Sequence, residues 1–402
     1  MIFSAGTALI TQQSALLWTD GRYYLQASQE LDANWQLMKD GQPSTPTIAE
    51  WLNKNLEPQS SIGIDASLYQ DDLFNSLASR LKESQLSLVH VEPNLIQRVW
   101  GDEQPSIDFK PLIRLDPTDC GKTCRQKLNE IRSELERIKC GACVVTSLDD
   151  IAWTLNMRGS DIPYGAVFFS YLIVSKDSAK LFTNLTRLDA KCDDNMSFRE
   201  YLLSEESKFE FYEYDEFYDY LRRFGESGER RIFLSSTSNH LIHSLFPSNA
   251  IHKDASYVTK LRVIKNSAEI SAAKRIHARD SRLLVEFFYA MATNFGMADS
   301  YRLDAQPTEF HLGQMLDQMR MREPGCHSPS FETICGFGAN GAIIHYKAKE
   351  DTCKRIESGN MLLVDSGGHY TDMGTTDVTR TVFLGAPTQI TPYHRECFTR
   401  VL

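Results

Sequence analysis

No stretch of the 402 residues approaches the roughly 18 to 20 consecutive apolar residues that a membrane-spanning helix requires. The opening segment MIFSAGTALITQQ has neither the basic start nor the apolar centre of a secretory leader. Positive charge is in deficit, 43 Lys and Arg against 53 Asp and Glu, so the overall balance attracts neither nucleic acid nor an anionic membrane. The nine cysteines lack a repeating frame and are scattered from Cys120 to Cys397, which suits free thiols in a reducing compartment better than a disulfide scaffold. Together these absences predict a cytoplasmic globular protein. Internal repeats and low-complexity tracts are missing too, and the length exceeds one ordinary core, which predicts two or three domains.

What is present reads as a mixed α/β chain. Short β-like runs such as TALIT and ALLWT alternate with helical patterns such as Thr47 to Leu56, and SIGIDASLY returns to strand. A segment rich in Pro, Asp and Gly, GDEQPSIDFKPLIRLDPTDCG, marks a boundary near residue 120. Beyond it a helix is predicted from Lys122 to Lys139, followed by a strand at CVVT, a helix at DDIAWTLNM, a β-hairpin in VFFSYLIVSKDSAKLFT and a strand at RRIFLSS. Cys120, Cys124, Cys140 and Cys143 have a spacing loosely like that of a zinc site. However, Cys124, Leu128, Ile131, Leu135 and Ile138 recur at three- and four-residue steps, which favours buried thiols. A second boundary falls near Val263, where Asn266 and Glu269 have the spacing of a helix cap. The helix that follows carries Ile270, Ala273, Leu284, Phe287, Phe288 and Met291 on one broad face, a pattern that core packing explains.

The chemistry concentrates in MLLVDSGGHYTDMGTTDVTRTVFLG, Met361 to Gly385. Met361 to Val364 reads as a buried strand ending in Asp365, and Asp377 opens a second strand on which Asp377, Thr379 and Thr381 share a face. An antiparallel pairing would bring Asp365 and Asp377 side by side. Two carboxylates on one buried face repel, and a shared proton, basic partners or cations can relieve them. Divalent cations do so most simply, and oxygen-rich sites favour manganese, with zinc or cobalt as further choices. Solvated acids at a strand edge are the plainer alternative. Asp365-Ser366-Gly367 also matches the aspartic peptidase triplet, but a single copy would need a symmetric dimer.

DSGGHYTDMGTTDVTRTVFLG resembles the strand-turn-strand of the aminopeptidase P (Xaa-Pro aminopeptidase) family of creatinase-like, pita-bread metallopeptidases. The resemblance continues in order through LLWTDGRYYLQA, NWQLMKDG, TPTIAEWL, NLIQRVW, DDIAWTLNMRGSDI, GANGAIIHY and ECFTRVL, and so covers essentially the whole chain. It implies two creatinase N-terminal-like α/β domains, 1–118 and 119–262, followed by the first half of an α+β pita-bread catalytic domain, 263–402. It also implies Asp365 and Asp377 as two of five ligands to a pair of divalent metal ions, Mn2+ first among them. His345, in the apolar strand-like run NGAIIHY, corresponds to a catalytic and substrate-binding histidine. Arg22, in WTDGRYY, corresponds to an arginine that contacts the peptide. The implied reaction is hydrolysis of the first residue from peptides with proline second, by a cytoplasmic enzyme that is a homodimer when complete. Proline marks the bond because its nitrogen carries no hydrogen and its ring fixes φ.

The sequence departs from the family in three places. Met373 reads as one extra residue between the aspartates, which a bulge can absorb. The chain starts at a point where family members have completed a first strand and helix, and it stops at Leu402, before the family's His and two Glu ligands. His394 and Glu396 match ordinary helix residues of the family. On this reading the given chain is truncated at both ends and inactive. A rival of another class is a non-catalytic pita-bread binding module, although such a module has no reason to keep Asp365, Asp377 and His345 together.

Overall fold

The computed structural model describes residues 5–192, 194–226, 231–292, 307–372 and 374–402. It is an α/β protein of two compact units, Met1–Pro105 with Asn239–Ser244 and Ile343–His345, and the remainder. Met373 lies outside the described residues.

The first unit holds a three-stranded sheet in which Ala15–Thr19 pairs antiparallel with Thr7–Ile10 and parallel with Trp35–Lys39. A parallel pair, Ser61–Ile64 with Ser87–His90, stands apart from it. The helix Ile48–Asn55 starts where the sequence predicts, because the Thr47 hydroxyl accepts from the Glu50 amide and the Glu50 carboxylate accepts from the Thr47 amide. Its Ile48 and Trp51 close over Leu16, Trp18 and Met38.

In the second unit the chain first builds a six-stranded mixed sheet, with Tyr171–Ser175, Ala142–Val145 and Ile232–Ser235 among its inner strands. Ala142–Val145 and Ile232–Ser235 are buried at every residue, which is why they read as continuous apolar runs. Helices Cys124–Arg137, Leu148–Leu155 and Phe198–Glu205 pack on the sheet. Cys120, Cys124, Cys140 and Cys143 are all buried, as the helical periodicity predicts. Burial pushes the Cys120 thiol up to about 11 and the Cys143 thiol up to about 12, so both stay protonated. Among the described residues no group of three His, Cys, Asp or Glu could hold a metal ion, and no helix is long and apolar enough to cross a membrane.

The rest of the second unit is the frame for the candidate site. Helix Ser267–Ala292 is capped as its sequence predicts: the Asn266 side-chain oxygen accepts from the Ala268 and Glu269 amides, and Glu269 accepts from the Asn266 amide. Its buried stripe runs through Ala272, Ile276, Asp280, Leu283, Phe287 and Ala290. Ile270 is 45% exposed and sits off this stripe, two residues out of phase with Ala272. Glu309–Met321 lies beside this helix, and together they cover one face of an antiparallel sheet, Ile334–Phe337, Asn360–Ser366 and Val378–Leu384. Leu362, Val364 and Leu384 face that core. The strand expected to be buried throughout therefore alternates, with Met361, Leu363 and Asp365 only half-buried on the other face.

One buried charge makes a prediction about stability. Lys127 is fully buried, donates to the Trp153 carbonyl at 2.7 Å and to Asn156 Oδ1 at 2.5 Å, and lies 4.1 Å from the Trp153 ring centroid. Its ammonium thus covers the C-terminal end of helix Leu148–Leu155, where backbone carbonyls are left over. Desolvation by burial pushes its pKa down from 10.5 to about 8. Between those values the unfolded chain binds more protons than the folded one, so this residue makes stability rise with pH across that window, by about 3 kcal/mol in all. Lys127→Met should remove the slope and be neutral or stabilising below pH 8. Urea unfolding of both proteins at pH 7.5 and 10.5 checks this, and equal slopes in the two would contradict it.

Candidate metal-binding hairpin and peptide-contact residues

Seven consecutive pairs fix the register of the site strands, from Asn360 opposite Leu384 to Ser366 opposite Val378. Asp365 lies opposite Thr379, whose hydroxyl donates to Asp365 Oδ1 at 2.9 Å. Asp377 sits one residue before the strand begins and two before Thr379, so it is offset from Asp365 along the strand and not directly beside it. Asp365 is half-buried and Asp377 is exposed, in place of the fully buried face expected from sequence. The cause is the one-sided cover: the helices pack on the Leu362, Val364 and Leu384 face, and the carboxylates emerge on the other.

Between the two acids the hairpin has a narrow waist. At Gly367 the chain leaves one sheet, and Gly368–Tyr370 joins another with Cys326–Pro329 and Gly374–Thr375. The Gly368 amide donates to Thr376 Oγ1 at 3.0 Å, the Thr376 amide to the Gly368 carbonyl at 2.9 Å, and Ser330 Oγ to the Thr376 carbonyl at 3.0 Å. Ser366 and Thr376 are fully buried. The residue after Asp365 and the residue before Asp377 are therefore both fixed in the interior. The chemistry available on the outer face is that of two hard oxygen donors beside the Thr379 hydroxyl, a partial set that suits a divalent cation without enclosing one.

Arg22 and His345 belong to the first unit. His345 lies in a turn after the short 3-10 segment Gly338–Ala342, and not in a strand; its neighbour Ile344 is 64% exposed. His345 Nδ1 is 2.6 Å from the hydroxyl of buried Tyr23, and the two rings meet edge to face. Arg22, in the turn just before Tyr23, stacks over the Tyr23 ring and forms a two-pronged ion pair with Asp20, both contacts at 2.8 Å. The Arg22 hydrogen bonds hold the Asp20 carboxyl down to about 2. Tyr23 thus brings Arg22 and His345, which are distant in sequence, onto one aromatic ring.

Several residues that support the site give no local signal. Glu309, in the first turn of helix Glu309–Met321, is fully buried and accepts from the Phe337 amide (2.6 Å), Asn340 Nδ2 (3.0 Å), the Tyr346 hydroxyl (2.6 Å) and the Lys354 amide (2.7 Å). It ties Phe337, Asn340 and Tyr346 to the start of helix Glu309–Met321. Arg320 and Asp280 form a buried ion pair beneath the hairpin.

Comparison with known proteins agrees along the chain. Models described as the creatinase/prolidase N-terminal domain match residues 2–99 and again 103–269, and the model of metallopeptidase family M24 matches 271–402. The Xaa-Pro aminopeptidase ApepP of Drosophila melanogaster is 36% identical over 99% of this chain and 62% of its own length. Xaa-Pro aminopeptidase 1 of Dictyostelium discoideum has the same identity and coverage. Among solved structures, the X-prolyl aminopeptidase of Caenorhabditis elegans, described as a cytosolic enzyme with a di-nuclear active site, superposes with a TM-score of 0.86 at 34% identity, over 95% of this chain and 61% of that one. The chain spans about three fifths of the length of the curated relatives it matches.

The waist yields a direct test. A Cβ added at Gly367 would lie 1.9 Å from the Thr376 carbonyl oxygen and 2.4 Å from Ser330 Oγ. Gly367→Ala should therefore force the hairpin walls apart at a cost of about 1–3 kcal/mol and speed hydrogen exchange at the Gly368 and Thr376 amides. Unchanged exchange at both amides would contradict the close approach.

Proposed function

We propose that this chain, which belongs to the aminopeptidase P family of creatinase-like metallopeptidases with creatinase/prolidase N-terminal domains ahead of an M24 domain, serves the removal of the N-terminal residue from peptides with proline in second position. The division into domains 1–118, 119–262 and 263–402 is part of this reading. So are a cytoplasmic location, peptides as partners in place of nucleic acid or membranes, and a homodimeric assembly.

The carrying observation is the pair Asp365 and Asp377, flanking a buried waist and emerging on the outer face of one strand pair. We assign them as carboxylate ligands of two divalent cations, manganese first, with zinc or cobalt as alternatives. Such ions, when bound, acidify a water and polarise the scissile carbonyl. Asp365 accepts the Thr379 hydroxyl through one oxygen, which orients the carboxylate. His345 is assigned the hydrogen bond to the scissile region of the peptide, with its ring held by Tyr23 through Nδ1. Arg22 is assigned the peptide contact, its guanidinium fixed between Asp20 and the Tyr23 ring. Two carboxylates alone hold cations loosely, so the 402-residue chain by itself is expected to turn peptides over poorly.

The test extends this chain with the C-terminal segment of the Drosophila relative. With excess Mn2+ that protein should cleave Arg-Pro-Pro well ahead of Arg-Ala-Ala. His345→Ala should lower its turnover on the order of 100-fold with metal content unchanged. Asp365→Asn or Asp377→Asn should remove most of both metal and activity. Preference for the alanine peptide would reject the proline specificity, and full metal content in both Asn variants would reject the ligand assignment.

A further inference from the structure

Beneath the hairpin lies a polar cluster that the reaction does not itself call for. Arg320, on helix Glu309–Met321, is fully buried, and so is Asp280 at the middle of helix Ser267–Ala292. Arg320 Nε donates to Asp280 Oδ1 at 2.7 Å and Nη2 reaches Oδ2 at 3.3 Å. The same Nη2 lies 3.3 Å from Ser366 Oγ, and the Tyr370 hydroxyl donates to Asp280 Oδ1 at 2.8 Å. Two residues of the hairpin, one on each side of Gly367 and Gly368, are thereby tied to one ion pair between the two covering helices.

A pair of this kind is a poor device for stability alone. Withdrawing two charges from water costs much of what their attraction returns, and apolar residues of similar volume often serve equally well. Here the arrangement also leaves Arg320 Nη1 buried with no hydrogen-bond partner among the described residues. What the fork supplies is direction. Its planar donors admit one placement of Asp280 and one of Ser366, and its aliphatic arm fills the space under Gly368, where an added Cβ would lie 2.6 Å from Arg320 Cδ. Ser366 follows Asp365 directly, while Gly368 bonds Thr376, which precedes Asp377 directly.

We infer that Arg320 and Asp280 are positioning residues for the metal-binding carboxylates: from inside the fold, through Ser366, Gly368 and Thr376, they set the separation and aim of Asp365 and Asp377. This inference rests on the assignment of those two aspartates as ligands. It separates two properties that a merely structural pair would lose and regain together, the stability of the domain and its affinity for a divalent cation.

The experiment uses the 402-residue chain and follows paramagnetic broadening of the backbone amide signals of residues 363–379 by Mn2+, a readout that registers millimolar binding. Thermal unfolding is recorded in parallel. Arg320→Lys, which keeps the charge and loses the fork, should raise the apparent Kd for Mn2+ by about 10-fold, the lower end of what losing a direct hydrogen-bond partner of a metal ligand costs, because Arg320 acts one residue removed, through Ser366. The double variant Asp280→Leu with Arg320→Met leaves no unpaired charge. It should recover the unfolding midpoint while its Kd stays raised. A Kd unchanged in Arg320→Lys, or one that returns to the parent value with the midpoint in the double variant, would overturn the inference. Should the double variant fail to fold, Arg320→Lys decides alone. Asp365→Asn and Asp377→Asn separate the two levels. If they bind Mn2+ as the parent does, or if the parent shows no broadening, the ligand assignment falls and the inference with it. If they lose binding while Arg320→Lys keeps it, the inference alone falls.

Discussion

At Gly367 the backbone passes so close to the Thr376 carbonyl that no side chain fits between them. That approach holds together the hairpin that carries the two candidate metal-binding acids, Asp365 and Asp377. It lets one continuous strand serve two sheets, pairing with Val378–Leu384 up to Ser366 and with Cys326–Pro329 from Gly368 onward. It also allows Ser330, Gly368 and Thr376 to bond across the gap, which satisfies the Gly368 and Thr376 amides and carbonyls inside the fold. The acids on either side of the crossing inherit its rigidity. Carboxylates on a mobile loop would pay ordering entropy each time a cation bound, whereas here folding has already met that cost.

The same logic runs through the supporting charges. Among the described residues, Glu309, Lys127 and the Arg320–Asp280 pair are buried ionisable groups tied to partners, and each constrains a piece of the fold. Glu309 gathers two backbone amides, an Asn and a Tyr at the start of helix Glu309–Met321. Lys127 seals a helix end. Arg320 and Asp280 lock the hairpin to two helices. Each costs desolvation, and each sets a geometry that apolar packing would leave less determined.

Much of this protein can be read from its sequence because much of it is local. The caps at Thr47 and Asn266, the helix from Cys124, and the hairpin Tyr171–Ser175 with Ala179–Phe182 follow from spacings of a few residues. Asp365 is conspicuous because an acid ending an apolar strand before Ser-Gly-Gly is an expensive placement. What could not be read is long-range. Asp280 looks like a solvent-facing helix residue until Arg320, 40 positions later, and Tyr370, 90 positions later, supply its partners. Tyr23 has no distinction until His345 arrives from 322 residues away. The offset of Asp377 from Asp365 depends on a register that strand patterning alone does not specify. Ile270 and His345 misled for a related reason: apolar neighbours suggested a buried face and a strand, and tertiary packing exposed the first and turned the second.

If Asp365 and Asp377 form a pair that shares divalent cations, diffraction from crystals of this chain soaked in Mn2+, with data collected to reveal the anomalous signal of the metal, should show a peak at bonding distance from both carboxylates, on the face that carries Thr379. Peaks confined to other acidic surfaces, with both aspartates bound to solvent alone, would contradict that pairing.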